Sequence, residues 1–385
     1  MDKIQAINPQ RILWCCEEQG LSLEQLSREV GIALATLESA MQGEDVLSIN
    51  QLRKIASQFN RGMLFFLEHG PVNEAKVHSA QFRTITNQKP ELSPKLTAFV
   101  ERIERQRQVY ISLLEDLGEE VETAWYPIDF KLDPRNVKQA AYAVRRWLGL
   151  VDGMELSELR RAVESKGILV FISNGYKGQW QIAKENPIRG FSLYYPSFPT
   201  ITIKKQKTEG PQAFTMMHEL AHLLLHKDSF IDDEDDFFSY QGKEKAANEF
   251  AGNVLVPDEQ LGQLDLNNFP GKDVVAYDSY LQSYCRRWCV STEVILRRML
   301  NEGLLLRESY QAYRQWKQSL PPPKETGGGS RYRYKEPIRI FGEPFVHTVL
   351  NALHGKQITL ARASTYLDNL KIKDLRRLEE THVHI

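Results

Sequence analysis

The sequence predicts an α+β fold that is mainly helical and contains one small sheet. Apolar residues recur at helical spacing along most of the chain, whereas three short runs rich in β-branched and aromatic residues lie between residues 168 and 203. The 385 residues are 42% hydrophobic and 26% charged, which is typical of globular proteins. A chain of this length and composition can bury a sizeable core and form two or three domains.

The N-terminal part of the chain predicts a bundle of short helices. Residues 8–60 divide into four helical segments separated by glycines, and Ser22 is placed to cap the second segment. The second and third segments meet at a turn around Gly31 and Ile32, an arrangement that fits a helix-turn-helix. We therefore expect a helix-turn-helix domain over residues 1–70.

The centre of the chain predicts the small sheet and the helices around it. Strands are expected at 168–172, 190–195 and 200–203, and long helices at about 211–226 and 243–256. The acidic run from Asp232 to Asp236 lies between the two helices and lacks the glycine and the spaced ligands of a calcium-binding EF-hand loop. We interpret this run as a solvated, mobile loop.

Composition and periodicity divide the chain into five predicted segments. A run rich in proline and glycine near residue 325 is typical of a flexible linker. The segments are a helix-turn-helix domain at 1–70, a helical connector at 71–140, an α+β domain at 141–320, a linker at 321–331 and a C-terminal helical unit at 332–385.

Charge, hydropathy and cysteine usage exclude several classes of protein. The formal net charge is −1, so no chain-wide attraction to nucleic acid or membranes is expected. The apolar runs are far shorter than the roughly 20 residues that a membrane-spanning helix needs. The four cysteines form no CxxC pair, and no apolar signal segment follows Met1. We expect a cytoplasmic protein with reduced thiols and no membrane partner.

The strongest functional motif is His218-Glu219-Leu220-Ala221-His222, which lies in the first long helix. Residues four apart in an α-helix lie on one face and are separated by about 6 Å along the axis, so His218 and His222 can share one metal ion. Glu219 is turned by about 100° from His218 and reaches beside the metal, where a base that activates a metal-bound water must lie. The motif therefore predicts a zinc site with Glu219 as its base.

A catalytic zinc site needs a third protein ligand, and the helix at 243–256 offers two carboxylates. Glu244 and Asn248 lie four residues apart on one face, whereas Glu249 is turned by about 140° from Glu244. Asn248, on the face of Glu244, could hydrogen-bond a zinc-binding histidine and orient it. This pairing favours Glu244 as the ligand and keeps Glu249 as the alternative.

Together these motifs resemble the ImmA/IrrE metallopeptidase family. The chain shows His218-Glu219-Leu220-Ala221-His222, then Glu244-Lys245-Ala246-Ala247-Asn248-Glu249-Phe250-Ala251, and then Leu255-Val256-Pro257. The resemblance covers about residues 8–305 and implies a zincin-like metallopeptidase domain behind a Cro/repressor-type helix-turn-helix. It implies zinc ligands at His218, His222 and Glu244 and the catalytic acid and base at Glu219.

The resemblance also implies a function. The chain is expected to be a regulatory zinc peptidase that hydrolyses a protein such as a repressor or antitoxin in a mobile-element, stress or toxin–antitoxin system. The family usually has an arginine where this chain has Gln212-Ala213, so the resemblance does not extend to that position. The alternative is a non-catalytic antitoxin or transcriptional regulator that binds a toxin or DNA, and in which zinc only holds the fold.

The candidate recognition helix of the helix-turn-helix has little charge for binding DNA. Its expected contact residues are Ala33, Thr36, Ser39 and Gln42. Residues 1–60 contain five basic and eight acidic side chains, so the release of counterions from DNA phosphates is a weak driving force for this domain. A protein contact that includes Leu34 and Leu37, or a homodimer, is therefore favoured over DNA binding.

Overall fold

The structure of the protein is a computed structural model. The described residues are 4, 7–18, 21–59, 61–72, 81, 84–85, 88, 92–121, 125, 132–174, 178–233, 235–236, 242–321 and 332–382. The predicted linker at 321–331 lies outside these residues, except for its first position. The chain divides into two compact units, residues 1–102 and residues 103–385. The five-segment division stays a prediction.

The first unit contains a bundle of short helices. They are α1 (Pro9–Glu18), α2 (Leu23–Val30), α3 (Leu34–Met41) and α4 (Ile49–Gln58), followed by a 3-10 turn at Met63–Phe66. Ser22 and Ser48 cap α2 and α4, each through reciprocal hydrogen bonds with the glutamine three residues later. Gly31 ends α2 at a φ of 62°, a left-handed conformation that a residue without Cβ adopts at no steric cost.

The second unit is built mainly from helices. Helix α5 (Pro94–Asp116) runs across the boundary at residue 102. Next come α6 (Val137–Leu148), α7 (Leu156–Glu164), α8 (Glu209–Ala221), a π-helical turn (His222–His226), α9 (Gly242–Leu255) and α10 (Asp258–Leu261). The later helices are α11 (Tyr277–Trp288), α12 (Thr292–Asn301), α13 (Arg307–Ser319), α14 (Glu336–Phe341), α15 (Glu343–His354), α16 (Leu360–Tyr366) and α17 (Ile372–His382). Single 3-10 turns lie at Leu266–Asn268, Val274–Ala276 and Arg333–Lys335.

Within the described residues, the sheet of the second unit has four strands. They are β1 (Leu169–Ile172), β2 (Ile188–Leu193), β3 (Thr200–Ile203) and β4 (Phe230–Asp233), in the spatial order β1-β3-β2-β4. Strand β3 runs parallel to β1, and β2 runs antiparallel to both β3 and β4. The mainly helical α+β fold with a small sheet is therefore confirmed.

Strand β4 corrects the prediction of a solvated acidic loop at 232–236. Ile231 and Asp232 are buried, and Asp232 lies opposite Gly190 of β2 in the antiparallel ladder. The prediction was wrong for Asp232 and Asp233, because a four-residue edge strand is stabilised by pairing with a distant strand and its local pattern is hard to recognise among acidic residues. This pairing brings an acidic side chain into the interior. Asp235 is exposed, as expected for a solvated turn.

Helix α8 lies at the centre of the hydrophobic core of the second unit. Every residue from Gln212 to Ala221 is buried, and the helix contacts β2, β3 and α9. A helix that is apolar on most sides is stable only inside such a layer of neighbours. The backbone becomes π-helical at His222 and ends at Lys227, whose φ of 51° is left-handed. The predicted helix at 211–226 thus begins two residues earlier and ends in a wider turn.

The C-terminal helices pack onto the sheet of the second unit. Helix α14 lies beside β1, and Arg160 of α7 donates hydrogen bonds to the carbonyls of Ile338 and Arg339 at 3.1 and 2.7 Å. Phe345 of α15 is fully buried, with its ring centroid 6.1 Å from that of Tyr110. Residues 332–382 therefore belong to the second compact unit.

Across the described ranges, every helix is too short or too polar to cross a bilayer. All four cysteines carry free thiols, and Cys15, Cys16 and Cys289 are buried.

Candidate metal centre

Four side chains of the second unit converge on one point. His218 comes from α8, His222 from the π-helical turn, Asp232 from β4 and Glu244 from the first turn of α9. One donor atom from each side chain lies within 4.8 Å of all the others. His218 and His222 are fully buried and Asp232 is 1% exposed, so three of the four donors are shielded from bulk water.

The distances between these donors are short. The Nε2 atoms of His218 and His222 are 3.1 Å apart. Oε2 of Glu244 lies 3.3 Å from Nε2 of His218 and 3.5 Å from Nε2 of His222. Oδ2 of Asp232 lies 3.6 and 3.4 Å from the same two nitrogens. Two imidazoles with carboxylates form a donor set that zinc accepts.

Carboxylate oxygens without partners mark the place for a cation. Oδ2 of Asp232, Oε2 of Glu244 and both carboxylate oxygens of Glu219 are buried and have no hydrogen-bond partner. Burying several carboxylates side by side without compensation is costly, and a divalent cation between them would remove that cost. The residues present therefore fit a metal ion.

The charges of the cluster act strongly on one another. Burial lowers the pKa of His218, but the carboxylates of Asp232 and Glu244 outweigh burial and raise that pKa to about 9. Burial likewise raises the pKa of Glu244, but its contacts with His218 and His222 hold the pKa well below its ordinary value. The site therefore favours positive charge between ionised carboxylates.

Glu219 follows His218 directly and is fully buried. Burial, and then the negative charge of Asp232, raise the pKa of Glu219 well above its ordinary value. Gly190 of β2 leaves the space for this side chain, because a Cβ at that position would lie 2.7 Å from Oε1 of Glu219. A carboxyl group held against the cluster without a hydrogen bond of its own is suited to take up and return a proton.

Asn248 of α9 orients His218. Its Oδ1 lies 3.1 Å from Nδ1 of His218, and its Nδ2 donates to the carbonyl of Asp236 at 3.1 Å. The second bond fixes which end of the amide faces the ring, so Oδ1 accepts the proton of Nδ1. Nε2 of His218 then carries the lone pair that a metal requires. The structure places Asn248 where the sequence predicted an orienting group.

His226 makes the corresponding contact with His222, which the sequence pattern did not predict. The two Nδ1 atoms lie 2.9 Å apart. Burial and the adjacent His222 lower the pKa of His226 to about 3, so its ring is neutral and can accept the proton of Nδ1 of His222. Phe230 stacks on His222 with centroids 4.0 Å apart and an interplanar angle of 18°. The spacing of four residues between His222 and His226 was the sequence feature from which this contact could have been predicted.

Two carboxylates differ from the sequence prediction in whether they belong to the cluster. Glu249, the alternative ligand, is not a member of the cluster; it is half-buried, and its carbonyl accepts a hydrogen bond from Asn253. Asp232 is a member of the cluster that the sequence did not single out. The apolar pair Phe230-Ile231 before Asp232 was the sequence feature from which strand β4 could have been predicted.

The predicted contact residues of the first unit lie along α3. Ala33 and Gln42, which flank the helix, are exposed, whereas Thr36 and Ser39 are half-buried. Leu37 is fully buried in the bundle, so it cannot face a partner as the sequence allowed. It lies on the inward side of α3, because helical spacing turns it away from the exposed positions. Contact of this helix with DNA or protein stays a prediction.

A cavity of about 750 Å³ lies next to helix α8. Phe214 and Thr215 of α8 line it, together with residues of α11 and α12 such as Arg286 and Arg297. The ring centroids of Phe214 and His218 are 6.3 Å apart, so the cavity that Phe214 lines lies next to the cluster. Its volume is in the range of pockets that bind ligands.

Comparison with known families agrees with this geometry. Residues 163–300 match the family model described as the IrrE N-terminal-like domain. This segment of the chain is therefore similar to that domain. The matched residues include His218, His222, Asp232, Glu244 and Glu219, and the predicted resemblance to the ImmA/IrrE family is confirmed. Residues 163–300 are therefore metallopeptidase-like.

No curated protein matches the chain. Among solved structures, a Mycobacterium tuberculosis transcriptional regulator is similar at 16% identity with a TM-score of 0.30, over 49% of this chain and 51% of that chain. The chain thus spans about half the length of that structure.

Proposed function

We propose that this protein is a zinc-dependent regulatory metallopeptidase that hydrolyses a protein substrate. The observation that carries the proposal is Glu219, a fully buried carboxyl group without a hydrogen-bond partner beside two histidines and two further carboxylates. A structural role would leave such a group paired, because an unpaired buried carboxylate is destabilising. A role in proton transfer gives a reason to keep it unpaired.

The metal would be held by His218, His222 and Glu244. Zinc bound there supplies Lewis acidity, which polarises a peptide carbonyl and makes water more acidic. Asn248 and His226 hold the two imidazoles in the orientation that directs Nε2 inward. The chain therefore fixes both rings before any substrate arrives.

Glu219 then exchanges the proton of the reaction. Its carboxylate takes a proton from the attacking water and returns it to the amine that leaves when the peptide bond breaks. Burial and the charge of Asp232 raise the pKa of Glu219 well above its ordinary value, which makes its carboxylate a stronger proton acceptor. Burial by β2 and β4 keeps bulk water away from this carboxyl group.

The family resemblance and the cavity support the proposed substrate class. The ImmA/IrrE resemblance implies a protein such as a repressor or antitoxin, in a mobile-element, stress or toxin–antitoxin setting. The cavity beside Phe214 and Thr215 offers room for side chains of a bound segment one helical turn from Glu219. Helix α3 has no lysine or arginine, so we propose that the first unit contacts protein rather than DNA.

The test is the variant Glu219→Gln in the full chain, purified with zinc. Zinc content is measured by elemental mass spectrometry, and cleavage of a proteome-derived peptide library is read from new termini. We expect zinc content to equal that of the unaltered protein. Cleavage should fall by at least about 100-fold, because general acid–base catalysis contributes at this scale.

Glu249→Gln is the matched control, since Glu249 lies on the same helix as Glu244 but outside the cluster. It should keep both zinc and cleavage, whereas Glu244→Gln should lose zinc. Cleavage by Glu219→Gln at the rate of the unaltered protein would refute the peptidase function.

A second candidate function is favoured by one observation. Four protein donors, rather than three, surround the same point, and structural zinc sites have four protein ligands. A non-catalytic antitoxin or transcriptional regulator would use zinc only to hold the fold. In that case Glu219→Gln would retain zinc and biological function together, and the peptide library would remain uncut by either protein.

A further inference from the structure

Asp232 is placed toward the cluster by strand pairing rather than by the helical motif. It lies opposite Gly190 in the antiparallel pair of β2 and β4, and paired residues of two strands direct their side chains to the same face. The space above Gly190 is the one that Glu219 and Thr215 occupy. Asp232 therefore meets α8 at the turn that carries the histidines.

The distances from Asp232 are those of a metal ligand. In a tetrahedral site with metal–donor distances of about 2.0–2.2 Å, donor atoms lie about 3.3–3.6 Å from one another. Oδ2 of Asp232 is 3.6 and 3.4 Å from Nε2 of His218 and His222, and Oε2 of Glu244 is 3.3 and 3.5 Å from them. The two carboxylates thus stand in equivalent positions relative to the imidazole pair.

Oδ2 of Asp232 faces the two imidazoles from the interior of the fold. Asp232 is 1% exposed, and its Oδ2 has no hydrogen-bond partner. Two more carboxylates, those of Glu219 and Glu244, have unpartnered buried oxygens in the same place. Carboxylates buried side by side are destabilising unless positive charge lies between them, and a metal ion at this point would supply that charge.

We propose that Asp232 is a fourth protein ligand of the metal held by His218, His222 and Glu244. The proposal rests on the metal binding in the proposed function and adds a residue that the helical motif does not contain. Catalytic zinc sites leave one position open, whereas four protein ligands fill a tetrahedral site. With Asp232 as a ligand, the four protein donors would fill such a site in this conformation.

The first test measures metal affinity, with Co²⁺ as the probe. The full chain is stripped of metal and titrated with Co²⁺, and both the affinity and the visible absorption of the bound ion are recorded. Losing a group that merely orients a ligand lowers metal affinity about 10–100-fold. Loss of a direct ligand in Asp232→Asn should lower it at least about 100-fold and change the absorption spectrum.

The matched control is Asp235→Asn. Asp235 belongs to the same acidic run but is exposed and lies outside the cluster. It should bind Co²⁺ with the affinity and spectrum of the unaltered protein, which separates ligation from the general loss of a negative charge nearby.

The second test is a gain of signal that does not depend on weakened binding. Asp232→Cys places a thiol at the same position, and a zinc–sulfur bond has a length of about 2.3 Å. X-ray absorption of the zinc-loaded variant should then show one sulfur neighbour at that distance, and Asp235→Cys should show none. The four native cysteines lie outside the cluster and add no such signal.

The outcomes distinguish this proposal from the proposed function. If Asp232→Asn binds Co²⁺ as the unaltered protein does, or Asp232→Cys shows no sulfur neighbour, Asp232 is not a ligand and the peptidase function is unaffected. If the unaltered protein binds no Co²⁺, both proposals fall.

Discussion

At the scale of single residues, the metal centre depends on which atom of each side chain points inward. Nε2 of His218 and of His222 face each other because their Nδ1 atoms contact Asn248 and His226. A ring that donates from Nδ1 keeps the lone pair on Nε2 for a metal. The two orienting contacts come from different elements, α9 and the π-helical turn, so each ring is fixed independently.

The variant Asn248→Ala tests the orienting contact. Without Oδ1 of Asn248, the ring of His218 loses the group that fixes its tautomer, and we expect zinc affinity to fall about 10–100-fold. Zinc affinity is measured by competition with a coloured chelator. Asn253→Ala is the control, because Asn253 is also buried in α9 but bonds only the carbonyl of Glu249. Equal affinity in Asn248→Ala and the unaltered protein would show that Asn248 has no orienting role.

At the scale of secondary-structure elements, the centre is a junction of helix α8, strand β2 and strand β4. Gly190 of β2 lies close against helix α8. A Cβ there would lie 2.6 Å from Cγ2 of Thr215, 2.7 Å from Oε1 of Glu219 and 3.0 Å from the carbonyl oxygen of Thr202. The glycine is thus required by packing between elements, and its backbone has no positive φ.

We expect Gly190→Ala to separate β2 from α8 and to displace Glu219. Overpacking of this kind costs about 1–3 kcal/mol of the free energy of unfolding. Thermal unfolding gives the stability, and cleavage of the peptide library gives the effect on Glu219. Gly178→Ala should change neither, because a Cβ at Gly178 meets no atom within 4 Å. A fully stable and active Gly190→Ala protein would contradict the packing described for this junction.

At the scale of the whole molecule, the second unit joins its C-terminal helices to the sheet through a buried ion pair. Nε of Arg160 lies 2.7 Å from Oε1 of Glu164, and the same guanidinium donates to the carbonyls of Ile338 and Arg339. Gly342 has a φ of 87°, and a Cβ there would lie 2.0 Å from Oε1 of Glu164. The packing of residues 338–342 against helix α7 therefore involves the carboxyl group of Glu164.

This ion pair predicts a dependence of stability on pH. Burial raises the pKa of Glu164 to about 7, although the charge of Arg160 opposes that shift. A carboxyl group with a pKa raised on folding stabilises the fold fully below its ordinary pKa of 4.5, and this contribution is lost as the pH rises through about 7. The unaltered protein should therefore lose stability relative to Glu164→Gln between pH 4.5 and 7, by roughly 1–3 kcal/mol.

The measurement is urea unfolding of both proteins at several pH values across that window. Glu308→Gln is the control, because Glu308 is exposed at the start of α13 and should show no such difference. A stability difference between Glu164→Gln and the unaltered protein that does not change with pH would contradict the raised pKa.

The sequence by itself determined the parts of this protein that depend on local spacing. The pair His218 and His222 lies on one side of one helix because four residues make about one turn, and the fold class followed from the same periodicity. The spacing of Glu244 and Asn248 on the next helix also favoured Glu244 over Glu249, and the structure brings Glu244 to the histidines.

The tertiary structure decided what depends on distant pairing. Asp232 looked like part of a solvated acidic loop, and it reached the cluster because β4 pairs with β2 in a register that sets Asp232 opposite Gly190. Leu37 looked available to a partner and is buried by the bundle around it. Helical spacing is a property of neighbouring residues, whereas the register of two strands is set by residues far apart in the chain, so sequence periodicity predicts the first and not the second.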